Sequence, residues 1–281
     1  MDFADSNHGS KGREPDGRNR PRRCMMSNQY WIRASWVILA SVLLVAGCER
    51  GHERQEEMIG YNPLADANVV IADYALDAMD AAGGRRAWTE AKKLAFDCVV
   101  TFYRGDGSFY LTEQRHEIHP WLNSIRIIAA EPEGNFVWQL SKGKFSTLEG
   151  AERVAALPIK VCEPYFAEAI LDIMTAPARF SDTVGRSAAR YGQVKLEGQW
   201  YYPIRMGASV WYQNRDSSLI DVIRFADSEG GRFLVVRGYD YQGVKRLGIL
   251  VPTKIEVYNA EADGSLKERL ARVDYYNLNQ G

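Results

Sequence analysis

From Lys93 to Tyr276 the chain is built mostly of short stretches in which apolar and polar residues alternate with period two, and this pattern restricts the possible folds more than any other feature. Lys93–Arg104 places Leu94, Phe96, Cys98, Val100 and Phe102 on one face, with Asp97, Thr101 and Tyr103 on the other. Gly105-Asp106-Gly107 turns the chain and Phe109–Ile118 runs back, which predicts a hairpin. Further strands are predicted at Ser124–Ala130, Asn135–Leu140, Lys144–Leu148, Gln193–Glu197, Trp200–Met206, Ser209–Gln213, Leu219–Phe225, Arg232–Tyr241, Ile249–Tyr258 and Leu266–Tyr276. The helical period precedes the first strand in Ala65–Ala82 and Arg85–Lys92, with Gly83-Gly84 as the stop between them. It returns once, between Pro158 and Phe180, where Phe166, Ile170, Ile173 and Met174 share a stripe and Pro177 is expected to end the helix.

A meander this long must close on itself or have its edges covered, because bare strand edges invite aggregation. The amphipathic helices are the available covers. The expected fold is α+β: an incomplete antiparallel β-barrel of about 11–12 strands, with helices against its concave side.

The N-terminus carries a second constraint. Ala34–Gly47 is a run of fourteen uncharged residues between Arg33 and Cys48, and Glu49-Arg50-Gly51-His52 follows. A bilayer-spanning helix needs about 20 apolar residues, whereas an export signal needs about 7–15 followed by small residues at the cut. Val45-Ala46-Gly47-Cys48 resembles a bacterial lipobox, which implies cleavage before Cys48 and diacylation of its thiol. Two acyl chains anchor stably where one does not. The expected organisation is a disordered leader and lipoprotein signal peptide over 1–47, a polar tether over 48–62 and a folded domain over 63–279. Met25 or Met26 offers an alternative start.

Removing 1–47 takes seven basic and four acidic residues from totals of 35 and 36, leaving 28 and 32, a net charge of −4. Such a balance disfavours general attraction to nucleic acid. Of the four cysteines, Cys24 is lost with the leader and Cys48 is the acylation site; Cys98 and Cys162 either pair or stand as two buried thiols.

Reactive constellations are sparse. His116 and His119 sit in Arg115-His116-Glu117-Ile118-His119, one residue short of the zinc signature and on a predicted strand, where i and i+3 face opposite ways. They read as solvated sheet-face histidines. There is no nucleophile elbow and no phosphate loop. Glu163, Glu168 and Asp172 lie near one another on the central helix and read as its wet face. No catalytic residue, metal ligand or cofactor is predicted.

Aromatics, by contrast, are spread over both sheet halves. An open barrel of this many strands encloses more space than side chains comfortably fill, and such interiors hold apolar ligands. Phe96, Phe136, Trp138, Phe166, Ile170, Met174, Trp200 and Tyr202 are the expected cavity lining.

Gly83-Gly84-Arg85-Arg86-Ala87-Trp88 followed by Leu94-Ala95-Phe96-Asp97 resembles the LolA/LolB-like, outer-membrane lipoprotein-sorting-like group. Pro164–Asp182 is similar to that group's inserted helix, Val210–Phe225 to its hairpin with a polar turn, and Gly248–Tyr258 to its late strand. The likeness spans roughly residues 65–277 and implies a helix-capped open barrel whose apolar cavity accepts acyl chains. The expected function is that of a lipid-anchored, periplasm-facing bacterial envelope protein that binds a lipid or lipoprotein acyl chain without a chemical step. Two other readings stay open. One is an interaction module with a filled core that docks envelope partners through Tyr201-Tyr202 and Trp211-Tyr212. The other is an envelope hydrolase using Glu168 and Asp172.

Overall fold

A computed structural model describes residues 73–130, 135–152, 163–182, 189–190, 192–226, 233–261 and 264–280. The chain divides into two units, Met1–His52 and Glu53–Gly281, and every described residue belongs to the second. The signal segment, Cys24, Cys48, the tether, Cys162 and the first part of the Ala65–Ala82 helix lie outside the described residues.

Two short helices, α1 (Asp73–Ala81) and α2 (Arg85–Glu90), lead into the first half-sheet: β1 (Leu94–Tyr103), β2 (Phe109–His119), β3 (Ser124–Ala130), β4 (Phe136–Ser141) and β5 (Lys144–Glu149). Helices α3 (Glu163–Met174) and α4 (Ala176–Asp182) follow. The second half comprises β6 (Ala189–Arg190), β7 (Val194–Leu196), β8 (Gln199–Met206), β9 (Ser209–Asn214), β10 (Ile220–Ala226), β11 (Phe233–Gly243), β12 (Leu250–Ala260) and β13 (Leu266–Gln280). All pairings are antiparallel, and the strands form one sheet in the order β5-β4-β3-β2-β1-β13-β12-β11-β10-β9-β8-β6, with β7 also on β8. The sheet is not closed, and its thirteen strands exceed the expected count by the two-residue β6.

The two meanders are joined by the pairing of β1 with β13, from Leu94↔Gln280 to Phe102↔Ala271. The chain therefore leaves the sheet at one edge, β5, and re-enters near the other, β6. The helical insertion must cross the concavity to make that passage. Helix α3 packs on β3 and β4 from one half and on β10, β11 and β12 from the other. Its residues belong to a single apolar core shared with both half-sheets, α1 and α2.

The expected stripe on α3 is too narrow. Ala167, Ala169 and Leu171 are buried along with Phe166, Ile170, Ile173 and Met174, as in a helix surrounded by protein. Pro177 does not end one long helix; it stands in the first turn of α4, where a missing N–H costs nothing. The break is at Thr175, whose hydroxyl donates back to the Leu171 carbonyl at 2.6 Å.

The α1–α2 corner is fastened to the sheet through one carbonyl. Gly83 leaves α1 at φ 108°, and the Gly84 N–H donates to the Met79 carbonyl at 2.7 Å, closing the helix in a Schellman turn. The freed Ala82 carbonyl accepts from the Trp88 indole N–H at 3.1 Å and from the Leu250 N–H at 2.9 Å. Backbone of Gly248 and Ile249 passes so close that a Cβ on Gly83 would lie 2.4 Å from the Gly248 oxygen. No side chain fits there.

Candidate ligand-binding interior

Six of the eight residues expected to line a cavity come together on the concave side. Phe96 (β1), Phe136 and Trp138 (β4) and Phe166, Ile170 and Met174 (α3) are buried in the one core. Phe136 and Trp138 lie tilted at 38° with ring centroids 4.7 Å apart, and Phe166 meets Phe102 edge-on at 5.2 Å. The space inside the curved sheet is thus occupied by α3 and the side chains it carries. Trp200 and Tyr202 are not brought to this site. Trp200 is 38% exposed with the Lys195 ammonium 5.9 Å from its ring centre, and half-buried Tyr202 accepts from the Gln193 amide at 3.0 Å.

The interior is not wholly apolar. On the concave face of β2, Thr112, Gln114 and His116 alternate with outward Glu113, Arg115 and Glu117. His116 is fully buried, which corrects the solvated reading, while His119 at the strand end is half-buried. The charged neighbours hide this face in sequence, but their strict alternation was the available signal. His116 Nδ1 lies 2.8 Å from the Tyr275 hydroxyl, and Nε2 lies 2.9 Å from Gln114 Oε1 and 3.7 Å from Cys98 Sγ. Burial holds the imidazole neutral, lowering it to about 3. Burial also pushes the free Cys98 thiol well up, with Asp97 and Asp274 adding to the effect. A neutral thiol beside a neutral imidazole is no activated nucleophile at neutral pH. Gln114 Nε2 and Trp138 Nε1 are buried donors without a hydrogen-bond partner.

Asp172 on α3 is also buried, not on a wet face, whereas Glu168 is exposed. Its carboxylate is 3.1 Å from the Arg179 guanidinium of α4, an ion pair without an aligned hydrogen bond on Oδ1. Burial pushes Asp172 up to about 7, against the pull of Arg179 and with a push from Glu168. The folded protein therefore retains a proton that the unfolded chain, titrating at 3.8, releases. Stability from this group is present at low pH and lost as pH rises from about 4 to about 7. Asp172→Asn is expected to gain on the wild type across that interval by a few kcal/mol, each pH unit of displacement being about 1.4 kcal/mol. Paired urea melts from pH 4 to pH 8 measure it, and a constant difference would contradict the assignment.

The outer face carries a separate recess of about 490 Å³, where the β7–β8 hairpin folds over β9–β11. Its polar lining includes Glu197, Tyr201, Asp221, Arg237 and Tyr239. Arg237, itself buried, pairs with the Glu197 carboxylate at the hairpin tip. Burial pushes Asp221 up to about 6, the Asn214 amide acting against it. Nothing in the period-two pattern marks this recess, because it depends on the hairpin folding back.

Among the described residues no group of His, Cys, Asp and Glu could hold a metal ion, and no helix is long and apolar enough to cross a membrane. No family model and no curated protein sequence matches the chain. Among solved structures the chain is similar to a LolA superfamily protein from Nitrosomonas europaea, at 14% identity over 74% of this chain and 93% of that one, with a TM-score of 0.47. It is also similar to a DUF1329 family protein from Desulfovibrio piger, at 11% identity, covering 74% and 94%, TM-score 0.40. A third is a domain assigned to outer membrane lipoprotein sorting from Vibrio parahaemolyticus, at 10% identity, covering 73% and 92%, TM-score 0.38. The first and third belong to the groups that the sequence resemblance names.

Proposed function

We propose that this chain is a lipid-anchored bacterial envelope protein, held by Cys48 and facing the periplasm, that binds the acyl chain of a lipid or lipoprotein in the concavity of its open sheet without catalysing a reaction. The observation that carries this reading is the helix lodged between two half-sheets whose outer edges are not hydrogen-bonded to one another. Nothing in the strand ladder must break for α3 to withdraw. The apolar surface it leaves can be covered again by an acyl chain at about 0.8 kcal/mol per buried CH₂, against about 1.5–3 kcal/mol for each large apolar side chain taken out. Such an exchange of like for like is close to balanced, which suits a protein that must both take up and give up its ligand. Native mass spectrometry of the protein purified from its own membranes is expected to show adducts of lipid mass, and repeated adduct-free preparations would oppose the reading.

A second reading has its own support. The interior side chains are already packed together, as an interaction module with a filled core requires. Its expected contact residues are only partly available: Trp211 and Tyr201 are buried, and Tyr202 and Tyr212 are half-buried. The outer-face recess would be the place for such a partner.

A further inference from the structure

We infer that the interior selects neutral, ester- or amide-linked acyl groups over ionised fatty acids, with the Gln114 side-chain amide and the Trp138 indole donating to the ligand's carbonyl oxygen. This rests on the acyl-binding reading above and specifies the chemistry of the ligand's polar end.

Proton bookkeeping in the buried network fixes the direction of every bond. A tyrosine hydroxyl has one proton, and the acceptor within reach of buried Tyr275 is His116 Nδ1 at 2.8 Å. Tyr275 therefore donates to Nδ1. Neutral His116 then carries its own proton on Nε2, and Nε2 donates to Gln114 Oε1 at 2.9 Å. That choice consumes the acceptor of the Gln114 amide and leaves its NH₂ group facing no acceptor. The chain of bonds from tyrosine to imidazole to amide polarises in one sense and makes that NH₂ a better donor.

Trp138 Nε1 is a donor only, and it is likewise buried and unpartnered. The two stand on the same concave face in neighbouring cross-strand rows. One row runs Cys98, Gln114, Ala129, Phe136 and the other Phe96, His116, Ile127, Trp138. Buried donors left without acceptors cost about 1–3 kcal/mol each, and native proteins rarely keep two together without a use. Two buried donors on one face are suited to an acceptor oxygen inside a hydrocarbon-lined space.

Charge decides which acceptor. His116 is held neutral by burial, and among the described residues the one buried Lys or Arg is Arg237, which lines the outer-face recess. A carboxylate placed there would be a buried charge without a counter-ion, which is strongly disfavoured. A neutral ester or amide carbonyl meets both donors at no such cost.

The test uses the mature chain, stripped of lipid, and three probes of equal chain length at pH 8: a monoacylglycerol, an N-acyl glycinamide and the free fatty acid. The ester and the amide are expected to bind at least about tenfold more tightly than the ionised acid, the gain of one good buried hydrogen bond. Gln114→Leu is expected to weaken the ester and amide about tenfold while leaving the acid unchanged, so that the preference collapses. Trp138→Phe keeps a ring in place, removes the second donor and is expected to narrow the preference too, so the test does not depend on one variant folding. Equal binding of all three probes, tighter binding of the acid, or a preference untouched by both variants would overturn the inference while leaving acyl binding intact. Failure of all three probes to bind would instead remove the acyl-binding reading and this inference with it.

Discussion

Trp88→Ala is expected to lower the stability of the domain by about 3–5 kcal/mol for the lost aromatic volume alone, the range for emptying a large buried site. Trp88 is fully buried. Its indole N–H donates to the Ala82 carbonyl at the end of α1, and its own carbonyl accepts from the Trp121 indole at 3.2 Å. The substitution keeps that backbone carbonyl and its bond from Trp121, and it leaves the Ala82 carbonyl with the Leu250 N–H as its remaining donor. At about 2–4 °C per kcal/mol for a chain of this size, the melting temperature is expected to fall by roughly 10 °C. Trp200→Ala is the matched control: its side chain is 38% exposed, and surface changes usually stay within about 0.5 kcal/mol. Thermal melts of both variants decide the matter. Equal small losses would mean that the corner is not a fastening point.

Cys48→Ser is expected to move the protein almost entirely from the membrane fraction to the soluble fraction, with the domain's melting temperature unchanged. Anchoring of this kind is all-or-none. Two or more acyl chains hold a protein on a bilayer, a single chain is marginal, and a protein with none has only its surface to offer. With residues 1–47 removed, as the proposal requires, the chain would carry a net charge of −4, which offers no general attraction to anionic lipid. Fractionation with an antibody against the folded domain measures the shift. Retention of Cys48→Ser on the membrane would show that the uncleaved apolar run, or another contact, is the anchor.

The strand succession was legible because strands such as β1, β2 and β3 bury one face, so that burial writes period two into the residues. Β1 keeps Phe96, Cys98, Val100 and Phe102 inward, as its alternation predicts. What joins the two meanders was not legible. The β1–β13 pairing brings together residues about 180 positions apart, such as Asp97 and Asn277, and no local pattern encodes it. Likewise Thr175 splits one expected helix into two through a side-chain bond that periodicity does not record.

The site was legible in part, and for the same reason. Residues such as Phe136 and Trp138 reach the concavity because large apolar groups on a pleated strand must be buried somewhere. Trp200 and Tyr202 lie apart from the other six because they stand near the start of β8 at the sheet margin, where Trp200 pairs with Lys195 of the short β7 and α3 packs instead on β3, β4, β10, β11 and β12. Asp172 was misplaced because a buried carboxylate partnered from the next helix looks, in sequence, like an exposed one. Its partner Arg179 stands seven residues on, across a break in the helix.

Trp138 lies in the apolar core that α3 occupies, so an acyl chain that competes with α3 for this space, as proposed, must touch its ring. The direct measurement is tryptophan emission during titration with a monoacylglycerol brominated along its chain, since bromine quenches only rings it touches. Saturable quenching that is largely lost in Trp138→Phe is the expected result. A wild type showing no saturable quenching, or a Trp138→Phe variant quenched as fully as the wild type, would contradict the claim.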